Sequence, residues 1–385
     1  LEYERRDAYD SLSVPVYNTL AYEFDNAAVM AEAFTDKIKA PDYSRVENPT
    51  VTNLERRVAA LTDAVHTTAF NSGMAAISNT LMALAAQGKN IVTSKHLFGN
   101  TYARLVATLR RFGVKVRLRD LTNIEAVREA IDDDTCCVFL EILTNPQLEV
   151  ADLKAISEVA HEKNVPLVVD STVIPFTQFS AKSLGVDIEV VSSSKYVSGG
   201  ATSLGGLVID YGTPYNGDFA KRLYGEMLFN FGAYMTPQVA YMQTIGLETL
   251  DARYRVQSSN ALELAKKLRS LPQIKNVNYV GLEDNPYHEL AQRQFGKTAG
   301  AMICIDLESK EACFSFLNNL KLIHRATNLF DNRSLAIHPA STIFGAFSES
   351  MRKSMDVKDT TIRLSIGLED VDDLFEDIKQ AVDSL

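Results

Sequence analysis

The most informative stretch of this chain is Val190-Val191-Ser192-Ser193-Ser194-Lys195-Tyr196-Val197-Ser198-Gly199-Gly200. An apolar strand ends here and delivers Lys195 among hydroxyls and glycines, rather than into water on the face of a helix. Another apolar run, Pro166-Leu167-Val168-Val169, ends in the carboxylate of Asp170. A buried lysine and a buried carboxylate are both groups that a reaction can use. These two strand ends are therefore the first candidates for a functional site.

Outward from this stretch, short apolar runs alternate with helical patterns between residues 66 and 210. One intervening segment, Asp152 to Lys163, places its apolar residues on one helical face behind an Asp152 cap. Such alternation predicts an α/β fold with right-handed crossovers and a mostly parallel seven-stranded sheet that helices cover on both faces. The predicted strands are His66 to Phe70, Asn90 to Ser94, Lys115 to Arg119, Cys136 to Ile142, Val165 to Asp170, Ile188 to Val191 and Gly206 to Asp210.

The chain has 385 residues, more than one typical domain. After about residue 246 the pattern changes to a long amphipathic helix, Leu250 to Leu271, and to strand-like pieces at Ala301 to Leu307 and Thr361 to Ile366. The first 45 residues carry turn signals and little periodicity, which is typical of an arm that reaches a neighbouring subunit. We predict an arm over 1–46, a large cofactor-binding domain over 47–246 and a smaller C-terminal α+β domain over 247–385.

Composition excludes several classes of function. The formal net charge of -10 disfavours a nucleic-acid surface, because phosphate binding needs a basic stripe. The six histidines and four cysteines show no metal-ligand spacing, so no metal is predicted. No apolar run approaches the ~20 residues that span a bilayer, and the start of the chain has no signal-peptide core. We therefore expect a cytoplasmic enzyme without a membrane partner.

The run Asn71-Ser72-Gly73-Met74-Ala75 reads as a turn from a strand into a helix. The free N–H groups and the dipole at a helix N-terminus bind phosphate, and glycine lets the anion approach the backbone. A plain helix cap by Ser72 explains the run equally well by itself.

Asp170 and Lys195 together indicate a functional site more strongly than either residue does alone. A carboxylate that ends an apolar strand needs a partner, and a cationic ring nitrogen is one; a cap for the turn at Ser171-Thr172 is the alternative. Burial would lower the pKa of Lys195 and make its amine a nucleophile and a base, with Ser192 and Ser194 near a phosphate; an ordinary loop lysine is the alternative. Lysine, carboxylate and phosphate-binding turn together suggest pyridoxal phosphate (PLP).

Arg363 alternates into the apolar strand Thr361 to Ile366. A buried guanidinium is costly unless it meets a carboxylate, and its fork suits the α-carboxylate of an amino acid. An internal salt bridge is the competing interpretation.

Taken together, these runs resemble the Cys/Met-metabolism family of PLP enzymes, which includes cystathionine γ-synthase, methionine γ-lyase and O-acetylhomoserine sulfhydrylase. The resemblance covers nearly the whole chain. Its most specific pieces are Tyr43-Ser44-Arg45-Val46-Glu47-Asn48-Pro49-Thr50, Ser72-Gly73-Met74-Ala75-Ala76, Glu141 through Asn145-Pro146, Ser194-Lys195-Tyr196, His338-Pro339-Ala340-Ser341 and Arg363-Leu364-Ser365-Ile366-Gly367-Leu368-Glu369-Asp370.

The resemblance implies an aspartate-aminotransferase-like fold (fold type I), in which Lys195 binds PLP covalently and Asp170 pairs with the pyridine nitrogen. Asn145 is implied to lie near the cofactor's phenolic oxygen or to bind the substrate carboxylate, and Asn328 and Arg363 are implied to bind the substrate. Tyr43 and Arg45 would reach the phosphate of a neighbouring subunit, which implies a shared site and a homotetramer built from two such dimers. The other cofactor-binding residues that it implies are Ser72, Gly73, Met74, Phe98, Thr172, Ser192 and Ser194.

Several positions depart from the family's common pattern, including Ser194 and the stretch Thr342-Ile343-Phe344-Gly345. Phe98 stands where many members stack a tyrosine on the ring, so stacking survives but a phenolic proton carrier does not. Asn100 stands where methionine γ-lyases have a cysteine, and Phe330 where a glycine is usual.

The missing phenol bears on the reaction. Expelling a thiolate benefits from an acid that protonates sulfur, whereas an acylate leaves as a stable anion. The sequence therefore favours γ-replacement on a homoserine ester, O-acetylhomoserine first, with sulfide or a thiol from a free donor or a sulfur-carrier protein. The alternatives are a methionine γ-lyase or a cystathionine γ-synthase or lyase on the same scaffold and, more distantly, a non-catalytic binding protein.

Overall fold

The computed structural model describes residue 7 and residues 9–35 and 37–385. Seven strands form its first sheet: β1 (His66–Phe70), β2 (Asn90–Ser94), β3 (Lys115–Arg119), β4 (Thr135–Glu141), β5 (Leu167–Asp170), β6 (Ile188–Val191) and β7 (Gly206–Asp210). Their order across the sheet is β1-β7-β6-β5-β4-β2-β3. Only β7 runs antiparallel to its two neighbours. The predicted, mostly parallel seven-stranded sheet is confirmed.

A second sheet lies in the C-terminal part of the chain. Its strands are β8 (Asn276–Asn278), β9 (Met302–Asp306), β10 (His324–Arg325), β11 (Leu335–Ile337) and β12 (Thr361–Ser365). They are ordered β10-β11-β12-β9-β8, with β12 antiparallel to both of its neighbours. The predicted smaller α+β part is present, while the domain bounds 1–46, 47–246 and 247–385 stay a prediction.

Helices surround both sheets. They are α1 (Ala27–Ala33), α2 (Pro49–Thr62), α3 (Gly73–Leu84), α4 (Gly99–Ala103), α5 (Ile124–Ala130), α6 (Leu153–His161), α7 (Phe219–Arg222), α8 (Phe229–Phe231), α9 (Pro237–Glu248), α10 (Leu250–Leu268), α11 (His288–Phe295), α12 (Lys310–Asn319), α13 (Glu349–Ser354) and α14 (Val371–Val382). The predicted cap of α6 is present, since Asp152 Oδ1 accepts the N–H of Ala155 at 3.1 Å. The arm contains a short helix, α1, which its weak periodicity did not predict; Asn26 caps its first turn.

The central strands are buried on both faces. In β5, Val168 packs into one hydrophobic cluster, and Leu167 and Val169 pack into another on the opposite side. Side chains of a strand alternate between faces, so β5 needs apolar residues at each of these positions. Its one polar residue, Asp170, falls at the carboxyl end, where parallel strands of such folds place ligands.

Across residues 7, 9–35 and 37–385, no helix combines the length and the apolar character that a membrane span requires.

Candidate active site

A cavity of about 330 Å³ opens at the carboxyl ends of the parallel strands. Residues from the second sheet and its connections close its other side, so both halves of the chain line one space. The predicted site residues that line it are Ser72, Gly73, Met74, Phe98, Asn145, Asp170, Thr172, Ser192, Ser194, Lys195 and Arg363. Tyr43, Arg45 and Asn328 do not line it, although Asn328 touches Lys195.

The N-terminus of α3 forms one end of the cavity. Ser72 caps the helix by accepting the N–H of Ala75 at 3.1 Å, so the plain helix cap that the sequence allowed is present. A Cβ atom on Gly73 would lie 2.5 Å from Cβ of Ser192, so only glycine permits this approach of helix and turn. The Ser192 N–H is donated to Thr172 Oγ1 at 2.8 Å, which ties the turn after β6 to the turn after β5. This end offers the helix dipole that a phosphate needs.

Ser194 is engaged with the backbone. Its hydroxyl accepts the N–H of Gly205 at 2.9 Å and lies 3.1 Å from the carbonyl oxygen of the same residue, to which it donates. These bonds hold the turn that carries Lys195. An extended segment would place Ser192 and Ser194 on the side opposite Lys195, but the chain turns after β6 and all three line the cavity.

Asp170 lies at the end of β5 and is 9% exposed. Its Oδ1 accepts the N–H of Thr172 at 2.9 Å, so the capping role proposed for it is present. Burial raises the pKa of Asp170, although the hydrogen bonds from Thr172 oppose this effect. No described Lys, Arg or His forms a salt bridge with it, which leaves its charge free for a cationic ligand.

The Lys195 amine projects into the cavity from the turn. Its Nζ donates to Oδ1 of Asn328 at 2.8 Å. Burial, together with the positive charge of Arg363, lowers the pKa of Lys195 to about 8. A substantial fraction of this lysine is therefore neutral near physiological pH, as a nucleophile or base requires.

Arg363 reaches the cavity from β12 and is 2% exposed. Its Nη1 donates to Oδ1 of Asn145 at 3.2 Å, and its Nη2 donates to the carbonyl oxygens of Thr327 at 3.4 Å and Asn328 at 3.3 Å. Its Nε has no hydrogen-bond partner, and within the described residues no carboxylate forms a salt bridge with it. Burial lowers the pKa of Arg363 to about 10, so it remains a cation at neutral pH. The geometry favours a carboxylate ligand over an internal salt bridge.

Tyr43 and Arg45 lie away from the cavity of their own chain. Arg45 Nη1 donates to the carbonyl oxygen of Phe229, and its guanidinium carbon is 5.4 Å from the ring centroids of both Tyr43 and Phe229. Tyr43 is 41% exposed. Their part in a neighbouring subunit's site stays a prediction.

Some lining residues were not predicted. Glu141 ends β4 just as Asp170 ends β5, and this shared signal, an apolar strand that stops at a carboxylate, could have identified it. The apolar part of the cavity wall includes Leu143, Leu204 and Leu329. They come from three separate loops, so no local pattern joins them.

These residues fit PLP on three counts. The α3 N-terminus and the Gly73 approach make room for a phosphate, Asp170 is a buried carboxylate without a cation, and Lys195 has a lowered pKa. Among the residues that the structure describes, no group of three His, Cys, Asp or Glu side chains could hold a metal ion.

Comparison with known proteins agrees with this fit. The sequence matches the family described as Cys/Met metabolism PLP-dependent enzyme over residues 2–383. An L-methionine γ-lyase of Fusobacterium nucleatum is 36% identical over 99% of this chain and 95% of its own length.

Two solved structures are similar over most of the chain. One, described as an O-acetylhomoserine (thiol)-lyase from Campylobacter jejuni with a pyridoxyl-lysine monophosphate, is 34% identical with a TM-score of 0.94, covering 98% of this chain and 96% of its own. The other, an O-acetylhomoserine sulfhydrylase of Wolinella succinogenes, is 43% identical with a TM-score of 0.79, covering 87% of this chain and 96% of its own. The fold type I prediction is confirmed by these likenesses.

Proposed function

Because the chain belongs to the Cys/Met-metabolism family of PLP-dependent enzymes, we propose that it replaces the acyl group of an activated homoserine ester with sulfide or a thiol. O-acetylhomoserine is the first candidate substrate, and homocysteine or methionine is the product. Family membership sets aside the non-catalytic alternative.

Each end of the cavity has a part in this proposal. Ser72, Gly73 and Ser192 would hold the cofactor's phosphate, while Asp170 would pair with its ring nitrogen. When bound, PLP withdraws electrons from the amino-acid substrate and makes its Cα proton acidic. The Lys195 amine is the base for that proton, and it has the lowered pKa that this role needs.

Arg363 would bind the α-carboxylate of the substrate and so orient the Cα–H bond toward Lys195. Its Nη1 already donates to Asn145, and its Nη2 donates to the carbonyl oxygens of the 327–328 segment. These bonds fix the plane of the guanidinium. The free Nε and the cationic charge are what a carboxylate would use.

The loss of a phenol at position 98 carries the choice of substrate. Among the described residues of this chain that line the cavity there is no tyrosine, histidine or cysteine, and the carboxyl group of Glu141 is held by the backbone N–H of Phe98. A thiolate leaves more readily when such a group protonates it, whereas acetate leaves without a proton. Phe98 offers only a ring face, which supports an ester rather than methionine or cystathionine as the substrate.

The test is a substrate panel with the purified holoenzyme. We expect O-acetylhomoserine plus sulfide to be turned over at least about a hundredfold faster than methionine, since general-acid assistance contributes roughly 10²–10⁴-fold where it is needed. O-succinyl- and O-phosphohomoserine, each with and without sulfide, identify the acyl group. Comparable turnover of methionine and O-acetylhomoserine would contradict the proposal.

The variant Phe98→Tyr sharpens that panel. It restores a phenol in the cavity, so we expect γ-elimination from methionine to rise while replacement on the ester changes little. Phe347→Tyr, which adds a phenol to a ring outside the cavity, is the control. Equal changes in the two variants would count against a special role for position 98.

Methionine γ-lyase activity is the second candidate, supported by the likeness to the Fusobacterium protein. It would release 2-oxobutyrate and ammonia without an added thiol. The physiological sulfur donor, free sulfide or a carrier protein, and a cytoplasmic location stay predictions.

A site shared between subunits is also part of the proposal. Exposed Tyr43 and half-buried Arg45, which lie beside Phe229, would complete a neighbouring chain's phosphate site within a tetramer of two dimers. Mixing inactive Lys195→Ala with inactive Arg45→Ala subunits should restore activity, because one hybrid site then has both residues. No recovery in a mixture shown to form hybrids would contradict a shared site.

A further inference from the structure

Glu141 stands beside Asp170 at the floor of the cavity. The two residues end neighbouring parallel strands, and Glu141 of β4 is in register with Asp170 of β5. Residues in register point to the same face of a sheet. Both line the cavity, and Glu141 is 7% exposed. A second carboxylate therefore lies next to the one that the cofactor would use.

Glu141 also holds a neighbouring loop of the active site. Its Oε1 accepts the backbone N–H of Phe98 at 2.6 Å. Phe98 follows β2 and Glu141 ends β4, so one side chain fixes the loop that follows a different strand.

Two adjacent buried carboxyl groups do not both carry a charge, because each repels the other and neither is hydrated. Burial first, and the charge of Asp170 second, raise the pKa of Glu141 well above its usual range. Asp170 would gain a cationic ring nitrogen as partner, whereas Glu141 accepts only neutral peptide N–H groups. The proton of the pair therefore belongs on Glu141.

We propose that Glu141 is a positioning residue that holds the Phe98 loop in the cavity and, by carrying the proton of the pair, leaves the negative charge on Asp170. This inference rests on the proposed function only in taking PLP as the ligand of Asp170. It does not depend on which homoserine ester is the substrate.

The experiment compares Glu141→Gln and Glu141→Ala with the wild-type holoenzyme. The readouts are the pH titration of the visible absorption band of bound PLP, the kcat and KM of the ester reaction, and the melting temperature. Glutamine keeps a neutral acceptor oxygen, so we expect Glu141→Gln to stay within about threefold of wild type and to leave the titration midpoint unmoved. Alanine leaves the backbone N–H of Phe98 unpaired and removes the second carboxyl group beside Asp170, so kcat/KM should fall roughly tenfold or more and the midpoint should move.

Asp377→Ala is the matched control. Asp377 is 6% exposed and, like Glu141, accepts backbone N–H groups, those of Lys321, Leu322 and Ile323. It does not line the cavity. Its loss should lower the melting temperature without moving the titration midpoint of the bound cofactor.

Three outcomes would overturn the inference. If kcat/KM of Glu141→Gln fell as far as that of Glu141→Ala, the charged form of Glu141 would be the active one. If Glu141→Ala had the kcat/KM and the titration midpoint of wild type, Glu141 would not be a positioning residue. If Asp377→Ala moved the midpoint equally, the effect would be general destabilisation. Because the titration needs no substrate, these outcomes are distinct from a failed ester reaction.

Discussion

The two walls of the cavity obtain their charged groups in different ways. On the wall formed by the first sheet, Asp170 and Lys195 follow strand ends and are held by bonds within short turns, such as Thr172 N–H to Asp170. On the opposite wall, Arg363 is held by Asn145, 218 positions away in the sequence. The first wall is thus assembled locally by parallel strands that end at one edge. The second depends on how the C-terminal sheet docks against it.

This contrast matches the proposed division of work. The local wall would bind the cofactor, which is the same for every member of the family. The distant wall would bind the substrate, which differs among the relatives. Substitutions on the two walls should therefore fail differently, and four predictions test that difference.

The largest effect is expected from Asp170→Asn on the first wall. Asparagine keeps the size of the side chain but cannot neutralise a cationic ring nitrogen. We expect kcat/KM for the ester to fall by ~10²–10³-fold, as for loss of other preorganised electrostatic groups, with a shifted visible band of bound PLP. Asp187→Asn, a buried carboxylate outside the cavity, is the control and should affect stability alone. If Asp170→Asn kept the kcat/KM of wild type, the proposed difference between the two walls would be wrong.

A smaller loss is expected from Arg363→Lys on the second wall. Lysine keeps the charge but loses the planar fork, so we expect kcat/KM to fall roughly 10–100-fold, mostly through KM. The visible band of bound PLP should stay unchanged, in contrast to Asp170→Asn. Arg117→Lys, at an ion pair with Asp132 far from the cavity lining, serves as the control. A drop in kcat alone would argue against carboxylate binding at position 363.

The charge of Arg363 on the second wall should also affect the pKa of Lys195 on the first wall. Only the neutral Lys195 amine can attack the aldehyde of PLP, so the rate at which the apoenzyme takes up PLP should rise with pH through about 8. In Arg363→Gln the repulsion from the guanidinium is gone, which favours the protonated amine and should move the midpoint of this rate profile to higher pH. Stopped-flow absorbance measures it. A midpoint that moves to lower pH in this variant would contradict the coupling.

The smallest effect concerns Phe330, at the junction of the walls. Its ring stacks on Tyr196 with centroids 4.0 Å apart, while its backbone has a φ of 56°, in the left-handed region. Phe330→Ala and Phe330→Gly both lose the stack, but only glycine relieves the backbone strain. We expect the glycine variant to be more stable than the alanine variant by about 1 kcal/mol in chemical denaturation.

Phe316 in helix α12 provides the matched pair for that measurement. There the order should reverse, with alanine more stable than glycine by ~1 kcal/mol, because the backbone is helical. The same order at both positions would show that Phe330 is not strained.

Much of the first wall was predictable because its signals are local. Apolar runs of four to seven residues gave the strand bounds closely: six of the seven predicted strands overlap at nearly every residue, and β5 begins at Leu167 rather than Val165. The glycine at position 73 and the carboxylate at 170 were visible for the same reason. Glu141 was named only within a longer motif and not as a site residue, although it ends an apolar strand as Asp170 does.

Local sequence patterns were enough to predict the alternation of strands and helices, and with it the edge where Asp170 and Lys195 meet, because hydrophobic periodicity and strand ends are properties of short segments. The packing of distant segments was needed to show which carbonyl oxygens surround Arg363, that Asn328 bonds Lys195 and that Glu141 accepts from Phe98. These contacts join residues far apart in the chain, and those of Arg363 and Asn328 form only when the second sheet packs against the first.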